Sequence, residues 1–125
     1  MIILVCLSAL GCDEEVNALE GTYAGVYYRT DPNGNRGLIS NVTFTFDENS
    51  FTGASDISRY PAICEGTFFA SGKSVTFVNG CIWTADFDWS LITSGEYKVF
   101  RNADKIFLIK KLEGFSYYTY ELKRK

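Results

Sequence analysis

The sequence predicts an all-β protein: eight antiparallel strands in an up-and-down meander that closes into a barrel. Three observations lead there. After Asn17, β-branched and aromatic residues dominate and apolar side chains recur with period two. Clusters of Asp, Asn, Gly, Pro and Ser interrupt these runs at short intervals. Helical spacing is scarce throughout. A small meander of this kind removes its exposed edges by closing on itself.

The strands are expected at about 20–30, 39–47, 50–56, 62–70, 74–81, 94–101, 104–111 and 115–124. The first places Leu19, Gly21, Tyr23, Gly25 and Tyr27 on one face, and its glycines let it bend and approach its neighbours closely. Asp31-Pro32-Asn33-Gly34-Asn35 turns the chain into the second strand, where Val42, Phe44 and Phe46 alternate with Thr43 and Thr45. Asp47-Glu48-Asn49 and Ser71-Gly72 are the next turn signals. Pairing Ala70 with Val75 around Ser71-Gly72-Lys73-Ser74 sets Phe68 against Phe77, Gly66 against Asn79 and Cys64 against Cys81. Directly opposed Cα atoms lie about 4.5–5.5 Å apart, within reach of a disulfide. A bridge closing that loop is worth roughly 3 kcal/mol in the chain-entropy picture. Asn102-Ala103-Asp104 and Glu113-Gly114 punctuate the last strands, where Tyr118, Tyr120 and Leu122 alternate with Thr119, Glu121 and Lys123. Between the fifth and sixth strands, Trp83, Phe87 and Trp89 alternate with Thr84, Asp86 and Asp88. This stretch reads either as a further strand or as a segment covering one barrel end.

The first residues read differently. Ile2 to Leu10 is a short apolar run, followed by Gly11, Cys12 and the acidic Asp13-Glu14-Glu15. It is shorter than the roughly 20 apolar residues of a membrane-spanning helix and lacks the alternation of a half-buried strand. The pattern resembles the signal peptide and lipobox of a bacterial lipoprotein, with Ala9 where leucine is usual. The resemblance implies cleavage before Cys12, a diacylglycerol on that thiol, and a membrane as partner through the lipid anchor. The chain then divides into a signal peptide at 1–11, a lipidated tether at 12–18 and one barrel domain at 19–125, within the usual size of a single domain. Of four cysteines, Cys6 leaves with the leader, Cys12 is acylated, and Cys64 and Cys81 remain as a pair in a disulfide-permissive compartment.

Leu19-Glu20-Gly21-Thr22-Tyr23 resembles the Leu-x-Gly-x-Trp entry of lipocalin-like barrels, with tyrosine replacing tryptophan. Gly95-Glu96-Tyr97, Lys105-Ile106-Phe107-Leu108 and Tyr118-Thr119-Tyr120-Glu121-Leu122-Lys123-Arg124 are similar to stretches of small lipocalin-like lipoproteins of Bacteroidetes. The resemblance covers about 19–125. It implies a cell-envelope location, most often the outer membrane, periplasmic or surface-exposed, because acids directly after the lipidated cysteine accompany surface export in that group. It also implies binding of a small apolar or amphipathic molecule inside the barrel. The expected lining is Tyr23, Tyr27, Phe44, Phe46, Trp83, Phe87, Tyr97 and Tyr118, since an eight-stranded interior holds one small ligand or is filled by its own side chains. The alternative is a protein-interaction module, such as a protease inhibitor or an accessory subunit of a surface complex.

Catalysis is not expected. The 125 residues include no histidine, which removes the commonest general base, the His-based triads and the commonest zinc ligand. No phosphate loop occurs, and no metal, cofactor or nucleic-acid partner is expected. Asp86 and Asp88 offer a carboxylate pair in form, but glycoside hydrolysis needs carboxyls facing across a cleft with one pKa raised; solubilising surface acids fit better. Asp31 to Gly37 starts like a calcium loop, but Arg36 and Val42 stand where glycine and glutamate are required, so a hairpin turn is expected.

Overall fold

A computed structural model describes residues 19–84, 86–112 and 116–125. It shows eight antiparallel strands in sequential order, closed into a barrel. They are β1 (Gly21–Thr30), β2 (Ser40–Asp47), β3 (Ser50–Ser55), β4 (Cys64–Ser71), β5 (Ser74–Asn79), β6 (Gly95–Asn102), β7 (Lys105–Lys111) and β8 (Tyr117–Arg124). A 3-10 turn, Trp89–Leu91, interrupts the connection between β5 and β6. The seam that closes the barrel joins Tyr23–Thr30 of β1 to Tyr117–Arg124 of β8.

The period-two pattern sets which side chains enter the barrel. In β2, Ser40, Val42, Phe44 and Phe46 are buried while the residues between them are exposed. Tyr23 and Tyr27 of β1, Phe51 of β3, Phe68 of β4, Val75 and Phe77 of β5, Tyr97 and Val99 of β6, Ile106 and Leu108 of β7, and Tyr118, Tyr120 and Leu122 of β8 share the same interior. At the seam the strands approach so closely that a Cβ on Gly25 would lie 1.7 Å from the Glu121 carbonyl oxygen. Gly25 is thus the residue that lets β1 and β8 pair.

The two barrel ends differ. At one end β2–β3, β4–β5 and β6–β7 are joined by two-residue turns at Glu48-Asn49, Gly72-Lys73 and Ala103-Asp104. In each the first central residue has positive φ: Glu48 at 58°, Gly72 at 61° and Ala103 at 59°. That primed geometry matches the twist of the flanking strands. The chain enters β1 at this hairpin end. The connections 31–39 and 56–63, the exits of β5 and β7 and the starts of β6 and β8 gather at the opposite end, the loop end.

The register expected between β4 and β5 is present: Gly66 faces Asn79, Phe68 faces Phe77 and Ala70 faces Val75. Cys64 and Cys81 are joined by a disulfide with a Cα–Cα separation of 6.4 Å. It lies just past the ladder, not within it, because β5 stops at Asn79. The Asn79 side chain takes over the pairing: its amide donates to the Ile63 carbonyl at 2.6 Å and its oxygen accepts from the Cys81 N–H at 3.1 Å. Residues 62 and 63, expected to open β4, instead serve the loop end. Ala62 bridges Ile92 in parallel, with Ala62 N–H donating to the Leu91 carbonyl and Thr93 N–H to the Ala62 carbonyl, both at 2.9 Å.

Candidate functional site at the loop end

The interior is occupied by rings. Phe44, 0% exposed, meets Tyr120 at 5.3 Å between centroids, Phe46 at 5.5 Å, Phe77 at 5.9 Å and Phe51 at 6.3 Å. Tyr27 meets Tyr120 at 4.9 Å and Tyr60 at 5.3 Å. These are the separations of aromatic pairs in contact. Of the eight residues expected to line a ligand cavity, the structure brings Tyr23, Tyr27, Phe44, Phe46, Tyr97 and Tyr118 into the barrel, all buried. Packed on one another, they form its core. Trp83 and Phe87 are placed elsewhere. They lie in the 80–94 connection, beyond the end of β5, and pack edge-to-face on each other at 5.8 Å, with the Arg59 guanidinium over the Phe87 ring at 5.0 Å. The choice left open for this stretch falls to a segment at one barrel end. The Trp83 indole N–H donates to Asn79 at 3.0 Å and the Trp89 indole N–H to the Thr84 carbonyl at 2.6 Å, which ties the segment down without a ladder.

Polar chemistry concentrates where this core meets the loop end. Arg29 continues the inward parity of Tyr23 and Tyr27 by one more step. Its register partner on β8 is Tyr118, and the next partner on β7 is Lys110. Inward side chains of these three strands thus form one rung across the mouth: cation, tyrosine, cation. Arg29 lies over the Tyr118 ring at 4.3 Å. Its Nη2 donates to the Tyr118 hydroxyl at 2.7 Å and to Ser90 Oγ at 2.6 Å, and its Nε to the Tyr27 hydroxyl at 3.4 Å. Lys110 donates to the Ser94 carbonyl at 2.9 Å and sits 5.7 Å from the centre of the Tyr97 ring. Among the described residues no carboxylate is recorded against it, and burial pulls its pKa below the usual lysine value.

One rung deeper the polar groups are fully buried. Burial, opposed by the neighbouring Arg29, raises the Tyr27 pKa from 10.0 to about 12. The Thr93 and Tyr120 hydroxyls share a 2.6 Å hydrogen bond. Ser40, opposite Tyr27, is 0% exposed, and its Oγ has no hydrogen-bond partner among the described residues.

Beside this rung lies a pocket of about 310 Å³ lined by Arg29, Arg36, Asp31, Leu112, Ser116 and Tyr118, among others. The 31–35 turn builds one wall. Asp31 Oδ1 accepts the Asn33 and Asn35 N–H groups, both at 2.9 Å, and Gly37 N–H donates to the Arg29 carbonyl at 2.8 Å. These bonds describe the turn expected at 31–35. Among the described residues no group of three or more Cys, Asp or Glu side chains is arranged to hold a metal.

Asp86 and Asp88 do not converge as an acid–base pair. Asp86 accepts from Thr84 and pairs with Arg59 at 3.2 Å, while Asp88 caps the 3-10 turn by accepting Ser90 N–H at 2.9 Å. Both pKa values are lowered, by the Thr84 hydrogen bond first for Asp86 and the Ser90 hydrogen bonds first for Asp88. Glycoside hydrolysis needs one raised.

Sequence reasoning missed Arg29, Arg36 and Lys110. The parity that placed Tyr23 and Tyr27 inward, carried two residues further, points to Arg29. Cys12, with the leader and tether at 1–18, lies outside the described residues. No protein-family model, no curated protein and no solved structure matches this chain.

Proposed function

We propose that this chain is an envelope lipoprotein, anchored through a lipid on Cys12, whose lipocalin-like barrel binds a small amphipathic molecule at its loop end. The observation that carries the binding half is the 310 Å³ mouth pocket, which joins the apolar Leu112 to the polar Arg29 and Tyr118. Its size falls at the low end of small-molecule sites. It stands beside a barrel interior whose rings are already in contact. The anchor half is supported by the Ile2–Cys12 pattern, by the Cys64–Cys81 disulfide, which suits an oxidising compartment, and by polarity. Leu19 and Gly21 stand at the hairpin end, so an anchor on the preceding segment would join the barrel opposite its mouth.

Two measurements test this reading. Palmitate incorporation should vanish in Cys12→Ala. Solvent extraction of the natively purified protein, followed by mass spectrometry, should recover one amphipathic species in near-stoichiometric amount. Labelling independent of Cys12, or protein that yields nothing specific, overturns the corresponding half.

A second reading, binding of a protein partner, is favoured by one observation. Ile82 and Trp89, both exposed, line one surface depression at the loop end, and exposed apolar surface of that kind suits a protein partner. Ile82→Ser with Trp89→Ser should then abolish a stoichiometric complex while leaving ligand recovery unchanged.

A further inference from the structure

We propose that the mouth pocket is built for an anionic head group, a carboxylate or a phosphate, held between the guanidinium groups of Arg29 and Arg36 with the Tyr118 hydroxyl as third donor. This rests on the amphipathic-ligand reading above and specifies the charge of the ligand.

The two arginines reach the pocket from adjacent chain segments, since Thr30 bridges Arg36. Among the described residues, neither makes a hydrogen-bonded ion pair with an acid. Arg29 Nη1 stands 3.7 Å from Asp88 and Arg36 Nη2 stands 3.6 Å from Glu121, both beyond hydrogen-bond length. The Glu121 oxygen that faces Arg36, Oε2, accepts from the Tyr28 hydroxyl at 2.6 Å, and Asp88 turns its other oxygen, Oδ1, to the Ser90 N–H and hydroxyl. The acid that lines the pocket, Asp31, has Oδ1 turned onto its own backbone amides. Among the described residues, the lining carries Arg29 and Arg36 against the single carboxylate of Asp31. The Tyr118 hydroxyl accepts from Arg29, which leaves its own proton to donate. Arg29 is partly withdrawn from solvent, with 29% of its side chain exposed. A guanidinium there gains more from a forked anion than one in open water. Leu112 beside these donors gives the apolar part of the ligand a surface to leave along.

The experiment is calorimetric titration of the full chain in zwitterionic nanodiscs, with empty nanodiscs subtracted. The probes are octanoate, octanol and inorganic phosphate. Octanoate should bind at least tenfold more tightly than octanol. That preference should fall about tenfold in Arg29→Gln and severalfold in Arg36→Gln, and weaken with added salt. Because Arg29 also ties Tyr118 and Ser90, a destabilised Arg29→Gln is replaced by Arg36→Gln, whose side chain is 57% exposed. Equal binding of octanoate and octanol by the native chain and both variants overturns the anionic head while leaving an amphipathic ligand standing. Phosphate binding without octanoate binding keeps the anion site, assigns it to a free anion, and overturns the amphipathic reading. No binding of any probe overturns both.

Discussion

Phe44 offers the sharpest test of a barrel filled by its own side chains. It is 0% exposed and touches the rings of Phe46, Phe51, Phe77 and Tyr120. Phe44→Ala removes the ring from the middle of that set. An apolar cavity on the order of 150 Å³ stays dry and accepts benzene. At about 24 cal/mol per Å³, such a void costs roughly 3.6 kcal/mol. With partial collapse of the surrounding rings and the lost transfer energy counted, the expected loss is about 3–5 kcal/mol. Urea unfolding with the disulfide intact measures it, repeated with saturating benzene. At ten times its dissociation constant, benzene should restore about 1.4 kcal/mol to the variant and nothing to the native chain. A loss below about 1 kcal/mol, or a native chain that gains as much from benzene as the variant, would mean the barrel already holds open space. The ligand would then belong inside, not at the mouth.

Four further outcomes follow from the same structure. Tyr120→Phe should cost about 1–3 kcal/mol by stranding the buried Thr93 hydroxyl; adding Thr93→Val should cost less than the sum of the singles, as a double-mutant cycle would read. Gly25→Ala should cost about 3 kcal/mol or more, because its Cβ meets the Glu121 carbonyl; chemical denaturation detects it, and a neutral result would refute the tight seam. Ala103→Gly should add about 0.5–1 kcal/mol by relieving a φ of 59°, seen as a raised Tm. Stability should also fall in alkali. Tyr27 is held neutral by burial, so its contribution is fully present below pH 10 and is withdrawn as pH rises through about 12, a change of roughly 2–3 kcal/mol. Tyrosine absorbance at 295 nm followed together with circular dichroism would show ionisation and unfolding coinciding, and Tyr27→Phe should blunt the effect.

The strands were legible where the buried face repeats with period two, as in Val42, Phe44 and Phe46, although Tyr28 and Thr119 are buried against that alternation. The β4–β5 register was legible because Ser71-Gly72 fixes the turn and hence every rung below it. Their ends were less legible. Alternation alone carries β5 on to Cys81, whereas the ladder stops where the Asn79 side chain replaces backbone partners, a long-range exchange with Ile63 that no local pattern encodes. Trp83 and Phe87 have the spacing of a strand, yet among the described residues neither belongs to one. Arg29 and Lys110 were hidden by their charge. A cation at the end of a strand reads as solvated, and only counting parity from Tyr23 or from Ile106 and Leu108 turns each inward.

The seam between β1 and β8 pairs the two ends of the domain, Tyr23–Arg124 at one limit and Thr30–Tyr117 at the other. Its contacts therefore span nearly the whole sequence, and such non-local pairing slows folding. The last strand must be complete before either of its neighbours is satisfied. Until then β1 and β7 both present open edges, and the chain is at its most exposed to mispairing with another copy. The 64–81 bridge can lock the middle of the meander before that moment, so oxidation and closure are separable steps. Deleting 117–125 should leave a species that oxidises yet aggregates.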